Sequence, residues 1–246
     1  MGNILYFALH AHAQQSAGRD VRVVDPDPGN AWAPALPRLG GLMVPPSGLR
    51  WSDRRLDIPT GFHQGFGTDF TRAELESFVH DVVLGARTPA GGPLVTRSAA
   101  DRVVLNVRRG DYYSDPVFRG LFGFDVADYL KRALVVLEDS SGLADKVHVV
   151  SDDPEWCRQN LGWLLRDGRS VSWSTGADGV LGNFLDIAGA RRLVITNSTF
   201  AYWGAYTSNV LHGDNHSLVI APRLHSRDVD DGKPWQHDPL WLTVAV

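Results

Sequence analysis

From residue 102 onward the chain alternates short apolar runs with longer amphipathic ones, and this alternation limits the possible folds more than any other feature. Strand-like runs fall at 102–107, 146–150, 170–173, 192–196 and 218–221, and helical spacing fills the gaps at 124–138, 154–161, 180–190 and 199–207. Asp153 is a helix cap, with Pro154 at the first helical position. Strands separated by helices join one sheet as parallel neighbours through right-handed crossovers. The expected fold class is therefore α/β, with the C-terminal half an open parallel sheet covered by helices on both faces.

The first half reads differently. Residues 3–17 make a helix with Ile4, Leu5, Ala8, Leu9 and Ala11 on one stripe, and 21–24 make a short strand. Residues 25–59 are rich in Pro and Gly and read as mostly loop. Thr71-Arg72-Ala73-Glu74 has capping-box spacing, and Leu75, Phe78, Val79, Val82 and Val83 share the face that follows. The small, polar stretch 85–98 is the linker candidate. Two domains are expected, 1–97 and 98–246.

Composition removes several function classes. The 246 residues carry a formal charge of −4, which argues against a nucleic-acid grip by bulk positive charge. Cys157 is the sole cysteine, so no internal disulfide or thiolate zinc site can form, and a reducing cytoplasm is the expected location. No apolar run reaches the ~20 residues of a membrane span. Ile4 to Ala13 ends like a signal-peptide cleavage site, yet it lacks a basic start and is interrupted by His10 and His12. Met1-Gly2 is followed by Tyr6 where a myristoylation signal wants Ser or Thr. Nucleophile-elbow, Walker, dinucleotide-glycine and zinc-protease motifs are all missing.

Ligands of an open parallel sheet bind beyond the carboxyl ends of its strands. There the first strand runs into Arg108-Arg109-Gly110-Asp111-Tyr112, the second into Ser151-Asp152-Asp153, and the fourth into Asn197-Ser198-Thr199-Phe200. Guanidinium is always charged and its fork of donors matches a phosphate. Asn197-Ser198-Thr199 opens a helix whose free N–H groups also favour an anion. Taken singly, each motif has a structural explanation: an Arg–Asp pair or an ordinary cap. Converging on one sheet edge, the three read as a diphosphate site. Asp152 and Asp153 could instead accept hydrogen bonds from a base or ribose, or hold a metal, as could Asp25 with Asp27. His10 and His12, two apart, face different sides of a helix. Tyr202 and Trp203 read as core or crevice wall, with stacking on a sugar or base the other option.

Three motifs, Val-Arg-Arg-Gly-Asp-Tyr (107–112), Ser-Asp-Asp-Pro-Glu-Trp-Cys (151–157) and Asn-Ser-Thr-Phe-Ala-Tyr-Trp-Gly-Ala (197–205), resemble those of the α-1,2-fucosyltransferases, glycosyltransferase family 11. So do Gly2-Asn3, His63-Gln64-Gly65-Phe66, Val219-Ile220-Ala221-Pro222 and the closing residues 238–244. The resemblance implies a GT-B-like pair of Rossmann-like domains, the first facing the acceptor and the second holding the nucleotide sugar. It implies an inverting transferase using GDP-fucose, with no metal and no further cofactor. By similarity Arg108 holds the β-phosphate and Asp111 is placed with it at the catalytic centre. The donor-binding set is Asn3, Asn106, Arg108, Arg109, Ser151, Asp152, Asp153, Asn197, Ser198, Thr199 and Phe200. The partners implied are a nucleotide sugar and a glycan or glycoside acceptor, without nucleic acid.

Two departures stand out. Family members usually carry His where this chain has Asn106, and an amide is no base at neutral pH. They also usually begin with a strand ahead of the first helix; its lack here would leave an exposed sheet edge through which chains could self-associate. Peripheral membrane contact is also left open. The acceptor is expected to meet the loops 25–59 and 114–123. Rival readings are a metal-dependent transferase of another nucleotide sugar and a degenerate glycan- or nucleotide-binding protein without turnover.

Overall fold

A computed structural model describes residues 2–25, 32–58, 60–61, 64–99, 101–175 and 179–246. They form two compact units, Met1–Val95 and Thr96–Val246.

The first unit opens with α1 (Gly2–Ser16), which buries Leu5, Ala8, Leu9 and Ala11 of the expected stripe; Ile4 is only half-buried, and Tyr6 joins the buried face instead. Strands β1 (Val23–Val24) and β2 (Met43–Val44) pair in parallel, and between them lie α2 (Trp32–Ala35) and α3 (Pro37–Gly41). Residues 26–31 and 59 of the stretch read as mostly loop lie outside the described residues, and the rest carries only short elements; Pro37 begins one of them instead of breaking it, and Leu39 is buried on it. Helix α4 (Arg72–Phe78) starts on the anticipated capping box, with the Thr71 hydroxyl accepting from Glu74 N–H at 3.2 Å and the Glu74 carboxylate accepting from Thr71 N–H at 2.8 Å. It runs on as a π-helix over Val79–Leu84, burying Val79, Val82 and Val83. A full Rossmann-like sheet was expected in this half. Among the described residues the sheet is the β1–β2 pair, since no other stretch there has a long β-branched run. The stretch 85–98 is not slack chain. Arg87 bridges Pro93 antiparallel, and Ala86 and Val95 are buried.

The second unit carries the regular alternation. Its elements are β3 (Arg102–Val107), α5 (Gly110–Ser114), α6 (Pro116–Phe122), α7 (Val126–Ser141), β4 (Lys146–Ser151), α8 (Pro154–Asn160), α9 (Trp163–Arg166), β5 (Ser170–Trp173), α10 (Gly179–Gly189), β6 (Arg192–Val194), α11 (Thr199–His212), β7 (Val219–Pro222) and β8 (Leu242–Val244). The sheet is six-stranded in the order β5-β4-β3-β6-β7-β8, and every pairing is parallel. Val103, Leu105 and Val107 point to one face, into a core with Tyr129, Leu130, Ala133 and Leu137 of α7 and Cys157, Leu161 and Leu164. The alternate residues face α10 and α11; His148 of β4, for example, bonds Asp186 of α10. Helices thus cover both faces, as expected.

The loop expected over 114–123 is corrected: α5 and α6 occupy it. Asp115 caps α6 by accepting from Val117 and Phe118 N–H, and Pro116 takes the first position. Among the described residues no helix is long and apolar enough to cross a membrane.

Candidate active site

The crossover from β3 leads to β4 on one side, and that from β6 leads to β7 on the other. Strand order therefore reverses between β3 and β6, and a crevice opens at their carboxyl ends. Arg108 follows β3 there, and its backbone N–H donates to the Thr196 hydroxyl at 3.0 Å just past β6. Thr196 in turn donates to the Asn106 side-chain carbonyl at 3.3 Å, deep in the sheet mouth.

The Arg108 guanidinium is about one-third exposed, with side-chain accessibility 36%. It donates from Nη1 to Asp152 Oδ2 at 2.6 Å and from Nη2 to Asp111 Oδ1 at 2.5 Å. Two of its five N–H donors are used this way, so the carboxylates orient the fork while leaving donors to spare. Gly110 makes this approach possible. Its φ is +27°, and a Cβ there would lie 2.6 Å from Asp152 Oδ2. Half-buried beside Arg108 and stacked on Phe122 at 4.3 Å, the Tyr112 phenol is pushed up to about 12 by loss of water and stays protonated.

Arg109 is placed otherwise. Its guanidinium lies 4.2 Å from the Tyr113 ring centroid and 4.0 Å from that of Trp156, and its side chain is 13% exposed. Nε donates to Asp153 Oδ2 at 3.1 Å, and its backbone N–H donates to Asp152 Oδ1 at 2.8 Å. Asp153 also caps α8, accepting from Trp156 N–H at 3.1 Å, while the Ser151 hydroxyl accepts from Asp153 N–H at 2.9 Å. Arg109, Ser151 and Asp153 thus form a brace behind Arg108.

On the β6 side, Asn197 is buried and donates to the Phe122 and His225 carbonyls at 2.9 Å each, tying two loops together. Ser198 is the cap residue of α11, but its side chain makes no capping bond, so the first N–H groups of this 14-residue helix are left without that partner. Thr199 begins the helix, and Phe200 meets Phe184 edge-on at 5.9 Å. Tyr202 and Trp203 are fully buried and belong to the core. Asn3 is exposed on α1 of the first unit. Asp27 and His63 lie outside the described residues. Asp25 is buried, and no group of three metal-ligating side chains occurs among the described residues.

Glycosyl transferase family 11 matches residues 52–228, well over half of the chain and all of this crevice. The chain belongs to that family. It is similar to two curated proteins of Escherichia coli. One is the O-antigen biosynthesis glycosyltransferase WbnK, 27% identical over 128 residues, covering 50% of this chain and 39% of the relative. The other is an alpha-1,2-colitosyltransferase, 28% identical over 121 residues, covering 49% of this chain and 39% of the relative. The match therefore spans 39% of each relative's length.

In this family-11 chain a further cleft of about 140 Å³ lies between β4, the end of β5 and α10, lined by His148, Trp173, Ser174, Asn183 and Asp186. His148 is held between the Ser172 hydroxyl at Nδ1, 2.8 Å away, and Asp186 Oδ2 at Nε2, 3.1 Å away. Sequence reasoning missed this cleft. The available signal was a histidine inside the apolar run Val147-His148-Val149-Val150. Thr196 was also missed, because a threonine at a strand end has no distinguishing pattern.

Proposed function

We propose that this chain is an inverting glycosyltransferase that moves L-fucose from GDP-fucose to a hydroxyl of a glycan or glycoside, in α-1,2 linkage and without a metal. Colitose, named in one relative, is the nearest alternative sugar. One observation carries the reading: the partly exposed Arg108 fork, with donors to spare, stands at the strand-order reversal beside a helix start whose cap side chain is unbonded. A diphosphate satisfies both at once. Asp152 faces Arg108 and the Arg109 N–H, and Asp153 faces Arg109, so the acidic pair already neutralises cationic groups. Such a pair has little call for a divalent ion, which supports the metal-free reading.

In the reaction an acceptor hydroxyl attacks the anomeric carbon as the bond to the diphosphate breaks, through an oxocarbenium-like transition state. Arg108 and the start of α11 meet the charge growing on the departing GDP. Each such preorganised donor can contribute ~3–4 kcal/mol. Asp111 holds Arg108 and is a positioning residue; Arg109 supports the turn from behind. The cleft beside Asp186 is the subsite for the base. His148 lies four residues before Asp152, about 13 Å at 3.3 Å per residue, so base and diphosphate lie along one strand. The first unit takes the acceptor in a GT-B-like arrangement. Asn106 accepts a hydrogen bond from Thr196 and is no base, so the acceptor proton passes to water or to the departing diphosphate as the glycosidic bond forms.

The decisive test is a thermal-shift panel of nucleotide sugars on the wild type and on Arg108→Ala. GDP compounds at 100 times their dissociation constant add ~2.7 kcal/mol of stability to the wild type. Arg108→Ala is expected to abolish transfer and weaken GDP binding by about 1.5–3 kcal/mol. Unchanged turnover in that variant removes Arg108 from the mechanism. Asn106 motivates the rival reading, a binding protein without turnover. GDP binding with neither transfer nor donor hydrolysis would favour it.

A further inference from the structure

The second unit has another cavity, of about 230 Å³, on the outer side of α7. Its polar rim is Lys131 and Glu138 of α7 with Asp167 and Arg169, and Trp163 of α9 forms one wall. Leu134 gives it an apolar floor and the exposed Val135 an apolar edge. Arg169 immediately precedes β5 and Glu138 comes late in α7, so the cavity opens toward the amino ends of the strands. It also lies on the α7 face, opposite α10 and α11. None of its lining residues touches Arg108, which pairs with Asp111 and Asp152.

The charges here are balanced, and one pair is fixed. Arg169 Nη2 donates to Glu138 Oε2 at 3.3 Å, Nη1 donates to Glu138 Oε1, and Nη1 also donates to the Ala144 carbonyl at 2.9 Å. Ala144 N–H donates to Glu138 Oε1 at 2.7 Å. Burial would raise the Glu138 carboxyl, but the Arg169 and Ala144 hydrogen bonds hold it below its ordinary value, so it stays anionic. Asp167 is half exposed, with Oδ2 3.9 Å from Arg169 Nε. Lys131 Nζ is 5.8 Å from the Trp163 ring centroid. Two cations thus answer two anions around the opening.

Trp163 decides what such a rim can hold. Its Nε1 is buried without a hydrogen-bond partner, so the exposed part of the indole is carbon. An ionic ligand would meet equal and opposite charge. A wholly apolar one would strip water from four charged groups with no replacement. A neutral ring with a C–H face for the indole and hydroxyls at its edge meets both demands, bonding to Asp167, Lys131 and the outer lone pairs of Glu138.

We propose that this cavity is an accessory carbohydrate site that binds one neutral pyranose unit of a glycan. The choice of a glycan as the physiological ligand rests on the proposed transferase function; the binding chemistry does not. A polymer held here raises the local concentration of its acceptor ends by tethering.

The test is a ¹H–¹⁵N NMR titration of the full chain with lactose, N-acetyllactosamine and cellobiose, following the tryptophan indole signals; Trp163→Phe assigns the relevant one. The expected result is saturable, millimolar binding that moves the Trp163 signal. Trp163→Ala should weaken it at least about tenfold, the loss of ~1.4 kcal/mol. Asp167→Asn, an exposed change that spares the fold, should weaken it several-fold. Arg108→Ala should leave it unchanged, and GDP binding should be the same in Trp163→Ala as in the wild type. Disaccharide binding without GDP binding would sink the donor reading while sustaining this one. No movement of the Trp163 signal with any of the three sugars, or equal affinity in Asp167→Asn and the wild type, overturns the accessory site.

Discussion

The two ends of the parallel sheet in the second unit both carry arginine, and they use it in opposite ways. At the amino end, Arg192 is buried and donates to the Ser141 hydroxyl at 3.1 Å, to the Leu143 carbonyl at 3.2 Å and to the Gly142 carbonyl. Arg191 forms a two-pronged pair with Asp214 at 2.7 and 2.9 Å, and Lys146 meets Asp101 at 2.6 Å. Those groups fasten strand starts to the turns that lead into other strands of the sheet. At the carboxyl end, Arg109 is fastened too, between two rings at 4.0 and 4.2 Å, but Arg108 is held by two carboxylates with one ring, Tyr112, more distant at 5.4 Å, and is still partly open to water. Charge alone therefore does not mark a ligand site. What marks it is a cation with donors to spare that is still open to water, 36% exposed at Arg108 against 13% at Arg109, and that stands beside the start of α11.

That contrast breaks most visibly at Arg192. Arg192→Met should leave acceptors in residues 141–143 unmet and cost about 2–4 kcal/mol of folding stability, at roughly 1–3 kcal/mol per orphaned group with some relief from water. GDP affinity of the folded fraction should stay within about twofold, well under 1.4 kcal/mol. Urea unfolding and nucleotide titration on the same sample check both halves. A large loss of affinity without loss of stability would show that the two ends are coupled after all.

Arg109→Lys sharpens the contrast within the carboxyl end. A lysine keeps the charge but loses the planar stack between Tyr113 and Trp156, so stability should fall by about 1–2 kcal/mol. GDP binding should weaken far less than in Arg108→Ala. If the two arginines prove equal in binding, the brace behind Arg108 is itself a phosphate ligand.

How much of this was legible depends on the element. Strand β3 falls where its apolar run predicts, because a buried parallel strand reads as a continuous hydrophobic stretch, and the edge strand β5 falls where expected on an alternating Ser-Val-Ser-Trp pattern. Helix α7 begins at Val126, two residues later than its periodicity suggests, because Asp125 caps it by accepting from Asp128 N–H. Helix α11 runs on to His212, past Thr207, because Ser208 and Asn209 are buried and bonded, to the Ala190 carbonyl and to Asn215. Gly213, at φ +79°, ends it. In sequence those polar residues look like a helix end. Strand β8 has no signal beyond three residues and exists because β7 offers an edge. At the site, the convergence of three strand ends was readable. The unequal fates of Arg108 and Arg109 were not, since they depend on rings from residues 113 and 156 meeting one side chain.

The smallest effect separates the two ends by pH. At the amino end a hydrogen bond from Lys146 lowers Asp101, one from Arg191 lowers Asp214, and Glu138, despite its burial, is lowered by Arg169. A carboxyl whose folded pKa is depressed adds stability above its ordinary value and loses it as pH falls through the folded one, because the unfolded chain then binds more protons. The ordinary values are 3.8 for Asp and 4.5 for Glu, so this contribution is intact above about pH 4.5 and drains away below it. Glu138→Gln removes one such group. Urea midpoints from pH 6 down to pH 3 should therefore fall less steeply below about pH 4.5 in the variant than in the wild type. His237, which burial pushes down to about 3, titrates alike in both proteins, so the difference between the two curves isolates the Glu138 pair. Parallel curves would mean that acid loosens the molecule elsewhere and that the amino-end pairs do not hold the strand starts.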